Sequence, residues 1–150
     1  MTNNITVTGG TKRQRQLVQC IAEYSIQLLM PRMRTLDIEI SLTKIQDALG
    51  YCVQLDRRDY EIEIHKKQSL RRLLETVAHE MVHVKQYARG EMRETVAAKI
   101  RWHGAEVDTS TVHYYDLPWE IEAHGREVGI FNRWIVAKGH VGKAWSQDIG

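Results

Sequence analysis

The chain has 150 residues, a net charge of +2, 43% hydrophobic and 27% charged residues, which fits one globular domain able to bury about 70% of its unfolded surface. Two lone cysteines, Cys20 and Cys52, form no C-x-x-C pair; this excludes a disulfide scaffold and reads each as a small buried hydrophobe. The basic pairs are scattered, no apolar run approaches the ~18 residues of a membrane span, and the polar first ten residues carry no signal-peptide pattern. The expectation is a cytoplasmic protein with no nucleic-acid or membrane partner.

Residues 1–10 read as a loose, flexible arm. Residues 11–30 place Leu17, Cys20, Ile21, Tyr24 and Leu28 at helical spacing, and Pro31 ends that helix. Three alternating segments follow, with Ile38, Ile40 and Leu42 on one face of the first, Tyr51, Val53 and Leu55 of the second, and Tyr60, Ile62 and Ile64 of the third. Asp56-Arg57-Arg58-Asp59 supplies the turn between the last two, which predicts an antiparallel or mixed sheet. A helix over residues 69–89 then stops at Gly90. Residues 99–108 read as a strand or hairpin around Gly104. Asp116-Leu117-Pro118 starts a last helix, with Asp116 as cap and Pro118 in the first turn. Residues 138–150 are punctuated by glycine and read as a surface tail. The pattern as a whole is α+β in a single domain.

The chemistry lies in the second helix, where His79-Glu80-Met81-Val82-His83 forms an H-E-x-x-H pentad. Residues i and i+4 share a helix face, so both imidazoles can meet one metal ion, with Glu80 placed to take a proton from a metal-bound water. With 7 His and 12 Glu in the chain, chance alone gives this pentad about 0.03 times. The competing interpretation is a solvated polar face, since Arg72, Glu75, Thr76, His79, His83 and Gln86 lie opposite an apolar stripe from Leu70 to Ala88.

A catalytic zinc needs a third protein ligand and an open position. Gln86 and Arg89 occupy the places where a metzincin carries Gly and a third His. Glu94 follows Gly90 too soon for the chain to turn and present it. Glu120, in the first turn of the last helix, has His124 at i+4 on the same face, where it could hydrogen-bond a ligating histidine. Glu122 is rotated by about 200° from Glu120 and is followed at i+4 by Arg126. Glu120 is therefore preferred; its alternative role is an acid placed favourably at a helix N-terminus. His113, Tyr114, Tyr115 and His124 are candidate donors to a tetrahedral intermediate. Trp102 and Trp119 read as core or cleft-wall aromatics, and His65 as a residue at a strand end near the cleft.

Three segments taken in order resemble the gluzincin metallopeptidases, in particular minigluzincins and small metallopeptidase-like proteins of tailed phages. They are the pentad through Tyr87, Trp102-His103-Gly104, and Pro118-Trp119-Glu120-Ile121-Glu122-Ala123-His124. The Glu120-Ile121-Glu122-Ala123 element is also similar to the ImmA/IrrE peptidases. The likeness spans residues 36 to 135 and implies a zincin-like domain over residues 11–137. It further implies one zinc ion held by His79, His83 and Glu120, Glu80 as general base, and a protein or peptide substrate, in the host cytoplasm if the chain is phage-encoded. Related enzymes often carry Asp or Asn where this chain has His124. In this fold class the strand at residues 60–65 would pair with the substrate backbone.

Two alternatives stand beside this reading. His103-Gly104-Ala105-Glu106-Val107 is similar to the segment that supplies a third His in SprT-like, DNA-associated proteases, which would make His103 the ligand. That segment enters a helix in those proteins, whereas residues 107–112 here are β-branched and turn-prone. The other alternative is a non-catalytic regulatory module with a structural zinc; Glu80 would then have no task, and such a site is usually closed by a fourth ligand.

Overall fold

A computed structural model describes residues 2–95 and 99–147. Its first strand, β1 (Asn4–Gly9), leads into helix α1 (Lys12–Leu29). Strands β2 (Asp37–Thr43), β3 (Gly50–Asp56) and β4 (Asp59–His65) follow, then helix α2 (Leu70–Ala88). Three short strands, β5 (Met92–Glu94), β6 (Ile100–Trp102) and β7 (Ala105–Val107), precede helix α3 (Pro118–Ala137). The class is α+β, with a four-stranded mixed sheet in the order β1-β2-β4-β3 and a second, three-stranded antiparallel sheet in the order β5-β6-β7.

Local chemistry explains the element ends. Thr11 and Gln14 form a reciprocal capping box at the start of α1. The Ser69 hydroxyl accepts the Arg72 N–H at the start of α2, and Gly90, at φ +74°, ends it. Pro118 opens α3, but its N-cap is Leu117, with no side-chain cap, so Asp116 does not take that role. The expected hairpin turns at His103-Gly104, both at positive φ.

The first ten residues correct the sequence reading. They are not a loose arm: β1 pairs in parallel with β2 over its whole length, and the Asn3 carboxamide donates to Met33 O and accepts from Leu36 N. Only Ile5 and Val7 turn toward the core, which is why the strand is faint in the sequence. The tail is also docked through Gln147. Trp145 packs on the core, Ser146 is buried, and the Arg71 guanidinium donates to Ser146 O at 2.8 Å. Residues 148–150 of that tail lie outside the described residues.

The sheet turns Ile38, Ile40, Leu42, Tyr60, Ile62 and Ile64 inward, and all six are buried. Its outer face carries acids on β2 and β4, and the Tyr51, Val53 and Leu55 stripe of β3 is exposed there. Helix α2 packs against β3 and β4 on one side and against α1 and α3 on the others. Every residue from Leu73 to Gln86 is consequently buried, including all of the polar side read above as a candidate solvated face except Arg72, which is exposed.

Strand β4 has neighbours on both sides, so the expectation that it pairs with a substrate is corrected. β1 and β3 are the two edge strands, and β3, which packs on α2, offers a free edge there. The His65 N–H donates to Leu49 O. The alternation of an antiparallel ladder then directs the backbone groups of Gly50, Cys52 and Gln54 toward that free edge.

Gly9 gives a test of the docked N-terminal strand. Its φ is +80°, and an added Cβ would lie 2.1 Å from Leu42 O. Gly9→Ala should lower stability in urea denaturation by at least about 1–2 kcal/mol, the cost of a left-handed non-glycine residue. A loose arm would show no change.

Candidate metal centre

The two pentad histidines and Glu120 meet between α2 and α3. Glu120 Oε1 lies 3.0 Å from His79 Nε2, and its Oε2 lies 3.1 Å from His83 Nε2. One ligand atom from each of the three residues falls within 4.8 Å of the others, and all three residues are buried. Two imidazole nitrogens and a carboxylate oxygen at this spacing fit a single divalent ion with a further position open to the cleft. The residues can therefore hold a metal ion.

The outer ring nitrogens determine which nitrogen each histidine offers. Gln86 Nε2 donates to Trp119 O at 3.0 Å and to Glu122 Oε1 at 2.9 Å. With both amide hydrogens spent, Gln86 Oε1 must accept, and it lies 2.8 Å from His83 Nδ1. His83 therefore carries its proton on Nδ1 and presents Nε2. On the other ligand, His79 Nδ1 lies 3.3 Å from Glu127 Oε1, which gives the same tautomer.

Glu127 is the principal residue that sequence reasoning missed. It lies at i+7 from Glu120, two turns on and on the same face, so the i, i+4, i+7 pattern Glu120, His124, Glu127 was the available signal. His124 was expected to bond a ligating histidine directly. Instead its Nδ1 lies 2.6 Å from Glu127 Oε1, and its ring packs on that of His79 with centroids 4.4 Å apart. His79, His124 and Glu127 form a second triplet with metal-ligand spacing. A neutral imidazole has one lone pair, so His79 cannot serve both groups: when Nε2 ligates, Nδ1 donates to Glu127.

Burial and charge set the carboxyl groups apart. Burial raises the Glu80 pKa, and the neighbouring histidines offset this only in part. Glu120 is also penalised by burial, but its hydrogen bonds to His79 and His83 outweigh that and hold it far below the usual carboxylate range. Glu127 is lowered for the same reason, through His79 and His124. In turn, burial pushes the His79 pKa down while Glu120 and Glu127 pull it up, with a net value of about 10. His83 is raised by the same balance.

A cavity of about 580 Å³ opens over this group, with β3 on one wall and Tyr114, Trp119 and His124 on the other. Gly50 faces the pentad from β3. An added Cβ there would lie 2.9 Å from Thr76 Cγ2 and 3.1 Å from Glu80 Oε2, so glycine keeps the space beside Glu80 clear. Tyr114 donates its hydroxyl to Glu120 Oε1 at 2.9 Å, and Tyr115 also lines the cavity.

Other candidates lie elsewhere. His103 is exposed in the β6–β7 turn and belongs to neither metal-spaced group among the described residues. The Glu94 carboxylate accepts from Tyr87, and Glu122 is bound by Lys85 Nζ at 2.6 Å and by Gln86. His113 caps the short 3-10 turn at Tyr114–Asp116, and His65 Nδ1 accepts the Ile45 N–H. Trp102 packs against Trp119, with centroids 6.2 Å apart. No protein-family profile, curated protein or solved structure matches the chain.

Removing Glu120 by Glu120→Ala should abolish tight metal binding, whereas His103→Ala should leave it intact. Glu127→Ala should weaken it by about 10–100-fold, as expected for the partner of a ligating imidazole. Equal affinities for Glu127→Ala and the parent chain in a competitive chelator titration would refute that role.

The raised histidine pKa values also fix a pH dependence. Both lie above 6.5 in the metal-free fold, so the stability they contribute is complete below 6.5 and is lost as pH rises through about 10 for His79. At pH 7 a metal ion must displace a proton from His79. Calorimetry in buffers of different ionisation enthalpy should record that release, and metal affinity should climb with pH.

Proposed function

We propose that this chain is a zinc-dependent peptidase of zincin-like, gluzincin type, with His79, His83 and Glu120 as the zinc ligands and Glu80 as general base. The observation that carries the reading is the pairing of a three-ligand group with a fourth, differently tuned carboxyl at an open cleft. A structural site would use four ligands and leave Glu80 without a task. When bound, zinc would supply Lewis acidity to the scissile carbonyl and to the attacking water.

The remaining steps belong to the chain. Glu80, held between Gly50 and the two histidines, takes the proton of the attacking water and passes it to the leaving amine. Burial raises its pKa, which makes it a stronger base for that proton. Glu120 and Glu127 stay ionised, so neither competes for the proton. The Tyr114 hydroxyl lines the cavity and gives its one hydrogen to Glu120 Oε1 in the metal-free fold; with that carboxylate engaged by zinc, the hydroxyl would be released to donate to the charge that develops on the carbonyl oxygen. The free edge of β3 gives an extended peptide backbone groups to pair with at Gly50 and Cys52. The position of His103 in a tight turn favours Glu120 over it as the third ligand.

Hydrolysis of an unstructured protein such as casein should require one zinc per chain and stop on chelation. Glu80→Gln should retain the metal and lose turnover; full activity in that variant would refute the assigned mechanism. Tyr114→Phe should lower kcat by about 100-fold with little change in KM, the loss expected for a donor used only in the transition state.

A further inference from the structure

A second cavity, of about 380 Å³, adjoins the first and shares Tyr87 and Met92 with it as walls. Four arginines line it: Arg57 and Arg58 in the β3–β4 turn, Arg89 at the end of α2, and Arg93 on β5. These come from three separate stretches of chain, so the convergence is a product of the fold and not of a basic run in the sequence. Of the four, among the described residues, Arg89 alone is in an ion pair, with Glu91 at 3.5 Å. Arg58 donates from one nitrogen to Ala88 O and has no carboxylate partner among the described residues. Arg93 also faces Arg101 directly across the β5–β6 ladder, an arrangement of like charges that costs stability. Clustered guanidinium groups of this kind are suited to forked recognition of a carboxylate.

The position relative to the cleft gives the cluster its meaning. Strand β3 starts at Gly50, beside Glu80, and reaches this second cavity at Gln54, four residues on, or about 14 Å at strand rise. The free backbone groups of Gly50, Cys52 and Gln54 lie along the same edge. A peptide extended on that edge with its scissile bond near Glu80 would carry its fourth to sixth residue from that bond into the arginines.

We infer that the Arg57, Arg58, Arg89 and Arg93 cavity is a substrate subsite selecting peptides with an acidic side chain about four to six residues from the cleaved bond. This rests on the peptidase reading for its meaning, but its test does not require turnover. The full-length chain carrying Glu80→Gln and loaded with zinc is titrated with fluorescein-labelled dodecapeptides, followed by anisotropy. One peptide has a Glu-Glu pair near its N-terminus, one has the pair near its C-terminus, and a control has Gln-Gln at both places.

One acidic peptide should bind about tenfold tighter than the control, the sum of several weak exposed ion pairs. That advantage should shrink with added salt and vanish in Arg57→Gln/Arg93→Gln, two exposed positions whose loss leaves the fold intact. Arg57→Glu/Arg93→Glu should reverse the preference toward a peptide with a Lys-Lys pair in the same place. Equal binding of the acidic and control peptides, or an advantage that survives the double substitution, would overturn the inference. So would arginine-dependent binding of millimolar inorganic phosphate with no preference for either acidic peptide, which would make the cavity a site for free anions. Failure of the zinc-loaded parent chain to hydrolyse casein, with the acidic preference intact, would refute the peptidase reading and leave the binding subsite standing.

Discussion

Burial of α2 on every side is the constraint from which the site follows. A helix at the centre of a domain has no solvated face, so its polar side chains must find partners in the elements packed on it. Here those partners come from α3. Glu120 meets His79 and His83, Glu122 meets Lys85 and Gln86, and Glu127 meets His79 again. Removing one member of such a seam leaves the other unpaired in a dry environment, whereas an apolar seam of equal volume would hold the helices as well or better. The seam therefore reads as a functional feature that the fold tolerates. Docking α3 on α2 builds the core around Phe131 and Trp134 and, in the same event, brings the third ligand to the first two.

What was legible in the sequence was local. The pentad, the extents of the three long helices and the Glu120–His124 spacing are each local, where periodicity reports directly on geometry. The parts that escaped depend on pairing between distant segments. Strand β1 shows only Ile5 and Val7 as inward residues, and its neighbour begins at Asp37, so nothing nearby marks it as a strand. Likewise β3 and β4 look equivalent as alternating segments. Only the insertion of β4 between β2 and β3 leaves β3 at an edge, where it walls the cavity. Gly50 was unremarkable until the fold set it against Thr76 and Glu80. Glu127 is a different case: its signal was present at i+7, but a search for a single i+4 partner stopped one turn short.

The electrostatics of the site set its groups against one another. In the metal-free fold burial works against both imidazolium forms, yet Glu120 and Glu127 pull the His79 pKa up to about 10, Glu120 and Glu80 raise that of His83, and both histidines hold Glu120 low. A cation seated on the same nitrogens would take over that compensation of the buried carboxylate, whose charge is otherwise costly in a dry site. The balance also accounts for Glu80. Among the buried carboxyls of this group it alone lacks a hydrogen-bonded imidazole, so burial dominates and raises its pKa while its neighbours are lowered. A carboxyl that must accept and then release a proton needs that poise, and one that must hold a cation needs the opposite. Two carboxyls beside the pentad histidines thus acquire different proton affinities from their partners alone.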